Sequence, residues 1–167
     1  MHLISRDLID RILDDPDPVE AFGEISQYIW PRDESEPELG LSRPEMNFYS
    51  FLTYDAEICR NGHTWFFLNP SGGQVNRILT ALEEMELEGP RQILLKACSV
   101  FPDSRVPVSS EHRIDAIKAL PYEETKALWD RLDREYFGEW DVLCSVMSQV
   151  MNYLRDHRDE ILKPETA

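Results

Sequence analysis

Cys59 and His63 stand four residues apart with Asn61-Gly62 between them, the nearest this chain comes to a nucleophile beside a base. A thiolate activated by an imidazole would carry out acyl or related group transfer. The cysteine, however, falls inside an apolar helical pattern, where a thiol is ordinarily an inert core group. The other histidines, His2, His112 and His157, are scattered, and no two histidines have i, i+4 spacing. His112 with Asp115, and His157 with Asp159 and Glu160, bring metal-ligand types together without a third ligand. There is no Gly-x-Ser-x-Gly, no P-loop and no His-Glu-x-x-His. Gly72-Gly73 ahead of a helix has the form of an anion cradle, but no lysine follows it. No catalytic residue, metal ligand or cofactor is nominated.

Carboxylates are the abundant chemistry. The 167 residues hold 32 Asp+Glu against 17 Lys+Arg, for a net charge of −15 and a pI near 4.6. Such a chain is repelled by nucleic acid and by anionic membranes, so its natural partner is a basic protein. Residues 1–60 carry 14 acidic and 5 basic residues, net −9, whereas residues 61–110 are nearly neutral at −1 and residues 111–167 stand at −5. Asp7, Asp10 and Asp14 fall on one face of a first helix, and Glu20 and Glu24 on the outer face of a second. Asp33, Glu34, Glu36 and Glu38 follow in a proline-bearing loop expected to be mobile. Carboxylates three or four apart on a helix lie about 5–6 Å from one another. DNA presents a phosphate every ~3.4 Å of rise per strand, so acidic rows on two helices would imitate its charge density. These nine residues are the nominated partner-binding set. The same charge would also serve solubility alone.

Amphipathic helices must carry these groups. Ile4, Leu8 and Ile12 mark the first helix, stopped at Asp15-Pro16; Phe22, Ile25 and Ile29 mark the second. Ser42-Arg43-Pro44-Glu45 reads as a capping box opening a third helix to about Arg60. Further stripes follow: Val75, Ile78, Leu79 and Leu82, closed by Gly89-Pro90; Leu94, Ala97, Cys98 and Phe101 after Pro90; Ile114, Ile117 and Leu120; Leu128, Trp129, Leu132 and Tyr136, ended at Gly138; and Leu143 to Leu154. The chain is therefore expected to be all-α, one compact domain of about eight helices. At this length it buries roughly 70% of its unfolded surface. Cys59, Cys98 and Cys144 are odd in number and lack CxxC spacing, so they read as core thiols of a reducing compartment. With neither a signal-peptide pattern nor a run of ~20 apolar residues, the expected location is cytoplasmic, without membrane contact.

One segment departs from helical patterning. Residues 61–73 place Trp65, Phe66 and Phe67 between Asn61-Gly62 and Asn69-Pro70-Ser71-Gly72-Gly73, the strongest turn chemistry in the chain. It reads as a buried connector, with 64–68 the one candidate strand, on which the helices pack. Its Gly62 supplies backbone freedom, Asn61 and Asn69 turn caps, and the three aromatics core anchors. This segment resembles the signature of a bacterial all-helical family of uncharacterised domains, of the DMP type, one studied member of which is a DNA mimic that binds a helix-turn-helix regulator. Pro107 with Glu111-His112-Arg113 after Phe101-Pro102, and Leu132-Asp133-x-x-Tyr136, resemble later parts of the same pattern. The resemblance covers about residues 45–160 and leaves the first forty outside. It implies an all-helical fold and DNA mimicry toward a DNA-binding protein. Two other functions remain open: an immunity-like protein neutralising a cationic toxin, and a small-molecule site or enzyme using His63, Asn61 or Asn69 beside Trp65.

Overall fold

The anticipated capping box organises the longest helix. In the computed structural model, which describes residues 5–29, 40–138 and 140–162 (main chain only at 140–142), the Ser42 N–H and hydroxyl both donate to Glu45 Oε2, at 2.9 and 2.8 Å. From there α3 runs Arg43–Leu68, flanked by α2 (Pro18–Ile29), α4 (Val75–Glu84), α6 (Ser110–Lys118), α7 (Tyr122–Phe137) and α8 (Trp140–Asp156). The remaining helices pack at its periphery: α1 (Arg6–Leu13) on α2 and α8, and α5 (Glu88–Cys98) between α4 and α7. Among the described residues these eight α-helices and three short 3-10 turns form one compact all-α domain with no strand. No described helix is long and apolar enough to cross a membrane.

The expected connector is helix. α3 does not stop near Arg60; it breaks at Gly62, with φ 72° and ψ −178°, and resumes to Leu68 before a 3-10 turn over Pro70–Gln74. The positive φ suits glycine, and a Cβ there would lie 2.2 Å from Asp133 Oδ2. Helical spacing then decides which aromatics are core. His63, Phe66 and Phe67 share one face at i, i+3 and i+4 and are fully buried, while Trp65 points away and is 54% exposed. Trp65 is thus not the core anchor expected of it. Phe67 stacks on Trp129 at 5.0 Å and meets Phe101 edge-on at 5.1 Å; Phe66 meets Tyr54 at 5.3 Å.

Two smaller expectations are corrected. Gly89-Pro90 does not close α4, which ends at Glu84; both sit in the first turn of α5, where the missing proline N–H costs no helical bond. Cys98 is buried and Cys144 half-buried, but Cys59 is exposed on α3. The loop carrying Asp33, Glu34, Glu36 and Glu38 lies outside the described residues.

Candidate partner-binding surface

Breaking a helix at Gly62 strands the N–H groups of the turn that follows. Asp133 of α7 supplies the acceptor: its Oδ1 takes the His63 N–H at 2.9 Å and the ring Nδ1 at 2.5 Å. A carboxylate only accepts, so Nδ1 carries a proton, and Nε2 shares a second hydrogen bond with the Tyr54 hydroxyl at 2.9 Å. Beside this chain the Tyr136 hydroxyl donates to Asp55 at 2.9 Å; burial raises the Asp55 pKa and pushes the Tyr54 and Tyr136 phenols far up. Asn69 and Ser71 tie the 3-10 turn back across the kink, donating to Glu57 at 3.0 and 2.8 Å. Asn69 is therefore a brace between the two halves of α3, not a turn cap, and Asn61 is exposed.

Arg113 of α6 closes the other end of the resumed helix. It is fully buried, and all five of its N–H donors are used: Nε on Phe67 O at 2.7 Å, Nη1 on Pro107 O and Val108 O at 2.8 Å each, Nη2 on Asn69 O at 2.7 Å and Ser110 Oγ at 3.2 Å. The six residues 63–68 thus have a carboxylate at their N-terminal end and a guanidinium at their C-terminal end, both aligned with the helix dipole. Gly72 and Gly73 make room for this: a Cβ on Gly72 would sit 2.7 Å from Phe66 O and 2.9 Å from Arg113 Nε, and one on Gly73 would sit 2.7 Å from Val108 O. The anion cradle envisaged there is filled by the protein's own guanidinium and backbone.

This geometry leaves little for catalysis at the hub. Both His63 ring nitrogens are engaged in a buried position, so no Cys59–His63 pair forms. The Cys59 thiol, 3.8 Å from Asp55 Oδ1, is pushed up to about 11 by partial burial and that carboxylate, the reverse of nucleophile activation. No group of three His, Cys, Asp or Glu side chains suited to a metal occurs among the described residues.

The nominated acidic face is brought together only in part. Ser5 caps α1, accepting from Leu8 N at 3.2 Å, and Asp17 caps α2, accepting from Val19 N at 2.9 Å. Asp7 and Glu20 are exposed and have no ion pair among the described residues. The other three are engaged: Asp10 by Arg6 at 3.0 Å and Arg158 at 3.9 Å, Asp14 by Arg158, Glu24 by Arg11. Arg155 donates to Leu13 O and Asp15 O at 2.8 Å each, closing the end of α1. Arg155 lies in the last turn of α8 and Arg158 just beyond it, far along the sequence from the carboxylates and carbonyls they meet.

A family model described as DMP19-like protein matches residues 39–157. The chain belongs to the DMP19-like family. The matched span opens just before α3 and closes just after α8, so it contains Asp133, Arg113 and the kinked helix they hold, and excludes α1 and α2. Searches of curated proteins and of solved structures found no match.

Within the DMP19-like part, a cleft of about 320 Å³ opens between the α4–α5 turn and α8. Glu84, Met85 and Glu86 form one wall; Gln149, Asn152, Tyr153, Asp156 and His157 form the other. Sequence reasoning nominated neither wall, because the two lie more than sixty residues apart and neither shows an unusual pattern. The same reasoning quoted Asp133 and Arg113 as parts of a resemblance without assigning them the kinked helix.

Proposed function

We propose that this chain is an acidic, non-enzymatic binding protein that occupies the basic surface of a DNA-binding protein, its carboxylates standing in for backbone phosphates. DMP19-like membership carries the reading, since the resemblance drawn from the sequence includes a DNA mimic directed at a helix-turn-helix regulator. The net charge of −15 supports it. So does the state of the acidic face. Asp7 and Glu20 are open, and the exposed pairs on Asp14 and Glu24 are worth at most about 1 kcal/mol each, so a partner's arginines displace them at little cost, whereas Asp10 is half-buried beside Arg6. The saturated His63 and the protonated Cys59 thiol favour binding over catalysis. On this reading the protein works in a bacterial cytoplasm, where Cys59, Cys98 and Cys144 stay reduced.

The test is competition. The full chain is used as bait in a host lysate at low salt, and captured proteins are challenged with duplex DNA and with rising salt. The expected result is capture of a DNA-binding protein that duplex DNA releases and whose affinity falls steeply with salt. A captured partner that duplex DNA does not displace overturns mimicry, and a cationic toxin in its place favours neutralisation.

A further inference from the structure

We infer that α1 and the turn after α8 form a clasp that opens and closes as one unit while the kinked end of α3 stays folded. Both segments lie outside the DMP19-like match of residues 39–157. Neither holds itself. α1 has eight residues and the 3-10 turn over Arg158–Glu160 has three, each too short to persist alone in water. Each is ordered by the other, through contacts that cross in both directions. Arg6 of α1 donates through Nη1 to Arg158 O at 2.8 Å and meets Asp159 at 3.5 Å. Arg158 in turn meets Asp14, the residue that caps the end of α1. The Arg6 guanidinium also holds Asp10 at 3.0 Å, so a single side chain serves its own helix and the turn together.

The clasp is seated on both sides. Beneath the turn Ile161 is buried, and the Leu162 N–H donates at 3.3 Å to Glu45 Oε2, the same oxygen that takes both Ser42 donors at the start of α3. Leu162 makes this contact with φ 70°, a left-handed conformation that is costly for any residue but glycine. On the other side Ile9, Ile12 and Leu13 are buried where α1 packs on α2 and α8, and Arg155 holds the Leu13 and Asp15 carbonyls. None of these contacts involves residues 63–68, Asp133 or Arg113, so the clasp can open with both clamps of the kinked helix intact. Its Arg158–Asp14 pair is exposed and weak, whereas Arg113 is fully buried and fully bonded. Closed, the clasp keeps Arg158 on Asp14, one of the nine nominated carboxylates; open, it bares that group. The clasp rests on contacts within the chain and is independent of the binding function proposed above.

Native-state hydrogen exchange on the full chain, followed by NMR at rising sub-denaturing urea, tests the inference. Two sets of bonded amides are compared: those of α1 and its cap, from Ile9 to Asp14, and those of the turn, Glu160, Ile161 and Leu162. The expected result is one shared opening constant and one shared urea dependence for the two sets, with less protection than His63, Phe66 and Phe67. Arg158→Ala raises the shared opening constant roughly two- to fivefold. Arg6→Met acts from the α1 side and Ile161→Ala from the turn side, and each raises it in both sets by a common factor of about ten or more. Separate urea dependences for the two sets, a change confined to the mutated side, or opening of both sets only together with His63, Phe66 and Phe67 overturns the proposal. Should Ile161→Ala fail to fold, Arg6→Met still reads the coupling, because its effect must appear at Glu160, Ile161 and Leu162.

Discussion

The end of α3 and the face of α1–α2 use the same ion chemistry to opposite ends. At residues 63–68 a half-buried aspartate and a fully buried arginine hold the two ends, and every donor of the guanidinium finds a carbonyl or hydroxyl. On α1–α2 Asp14 and Glu24 meet arginines in pairs open to water. Buried charges without full partners are prohibitive, so once Arg113 is inside, its surroundings are dictated. Surface pairs are nearly neutral in energy, so they leave binding capacity for another molecule. One region specifies the fold; the other remains negotiable.

That contrast can be broken experimentally. Arg113→Met removes the donors from Phe67, Asn69, Pro107 and Val108 at once and should cost about 3–5 kcal/mol in urea unfolding, with Arg113→Lys falling between because it offers fewer donors. A loss under 1 kcal/mol would mean water replaces the guanidinium and the interior is not dictated by it. Asp55 tests the border between the regions. Burial raises its folded pKa, so the folded state holds a proton that the unfolded state has already released. Stability should decline as pH rises from the ordinary carboxylate value through that raised value. Asp55→Asn should remove this decline while keeping an acceptor for Tyr136; identical pH profiles would refute it. Arg158→Ala should have the smallest effect, at most about 1 kcal/mol by thermal unfolding, since its close contact, with Asp14, is exposed and Asp10 keeps Arg6. It also bares the Asp14 carboxylate, so affinity for a basic partner should hold or increase at low salt.

The sequence disclosed what depends on nearby residues. Apolar spacing located the eight helices, and Ser42 with Glu45 marked the start of α3, because both signals act within a turn or two. It misjudged whatever a distant residue decides. Asn61-Gly62 read as a helix end, but Asp133, seventy positions on, receives the N–H that the break exposes, and the helix continues. Trp65 followed from that error, since a connector and a helix bury different members of the same aromatic run. The −9 of the first sixty residues read as an uncompensated field, yet Arg158 reaches Asp14 across 144 positions. The cleft was invisible for the same reason: neither wall is unusual until the fold sets them opposite each other.

The six-residue helix at 63–68 also bears on the order of assembly. While the chain is being synthesised, its first arm, up to Arg60, has its Ser42 cap and a full complement of local bonds. The second arm must wait. Its C-terminal carbonyls have only water as donor until Arg113 emerges, and its first N–H only water as acceptor until Asp133 does. So short a helix does not persist alone in water. The hub of the domain is thus among the last parts to set, a keystone dropped in after the arch is raised.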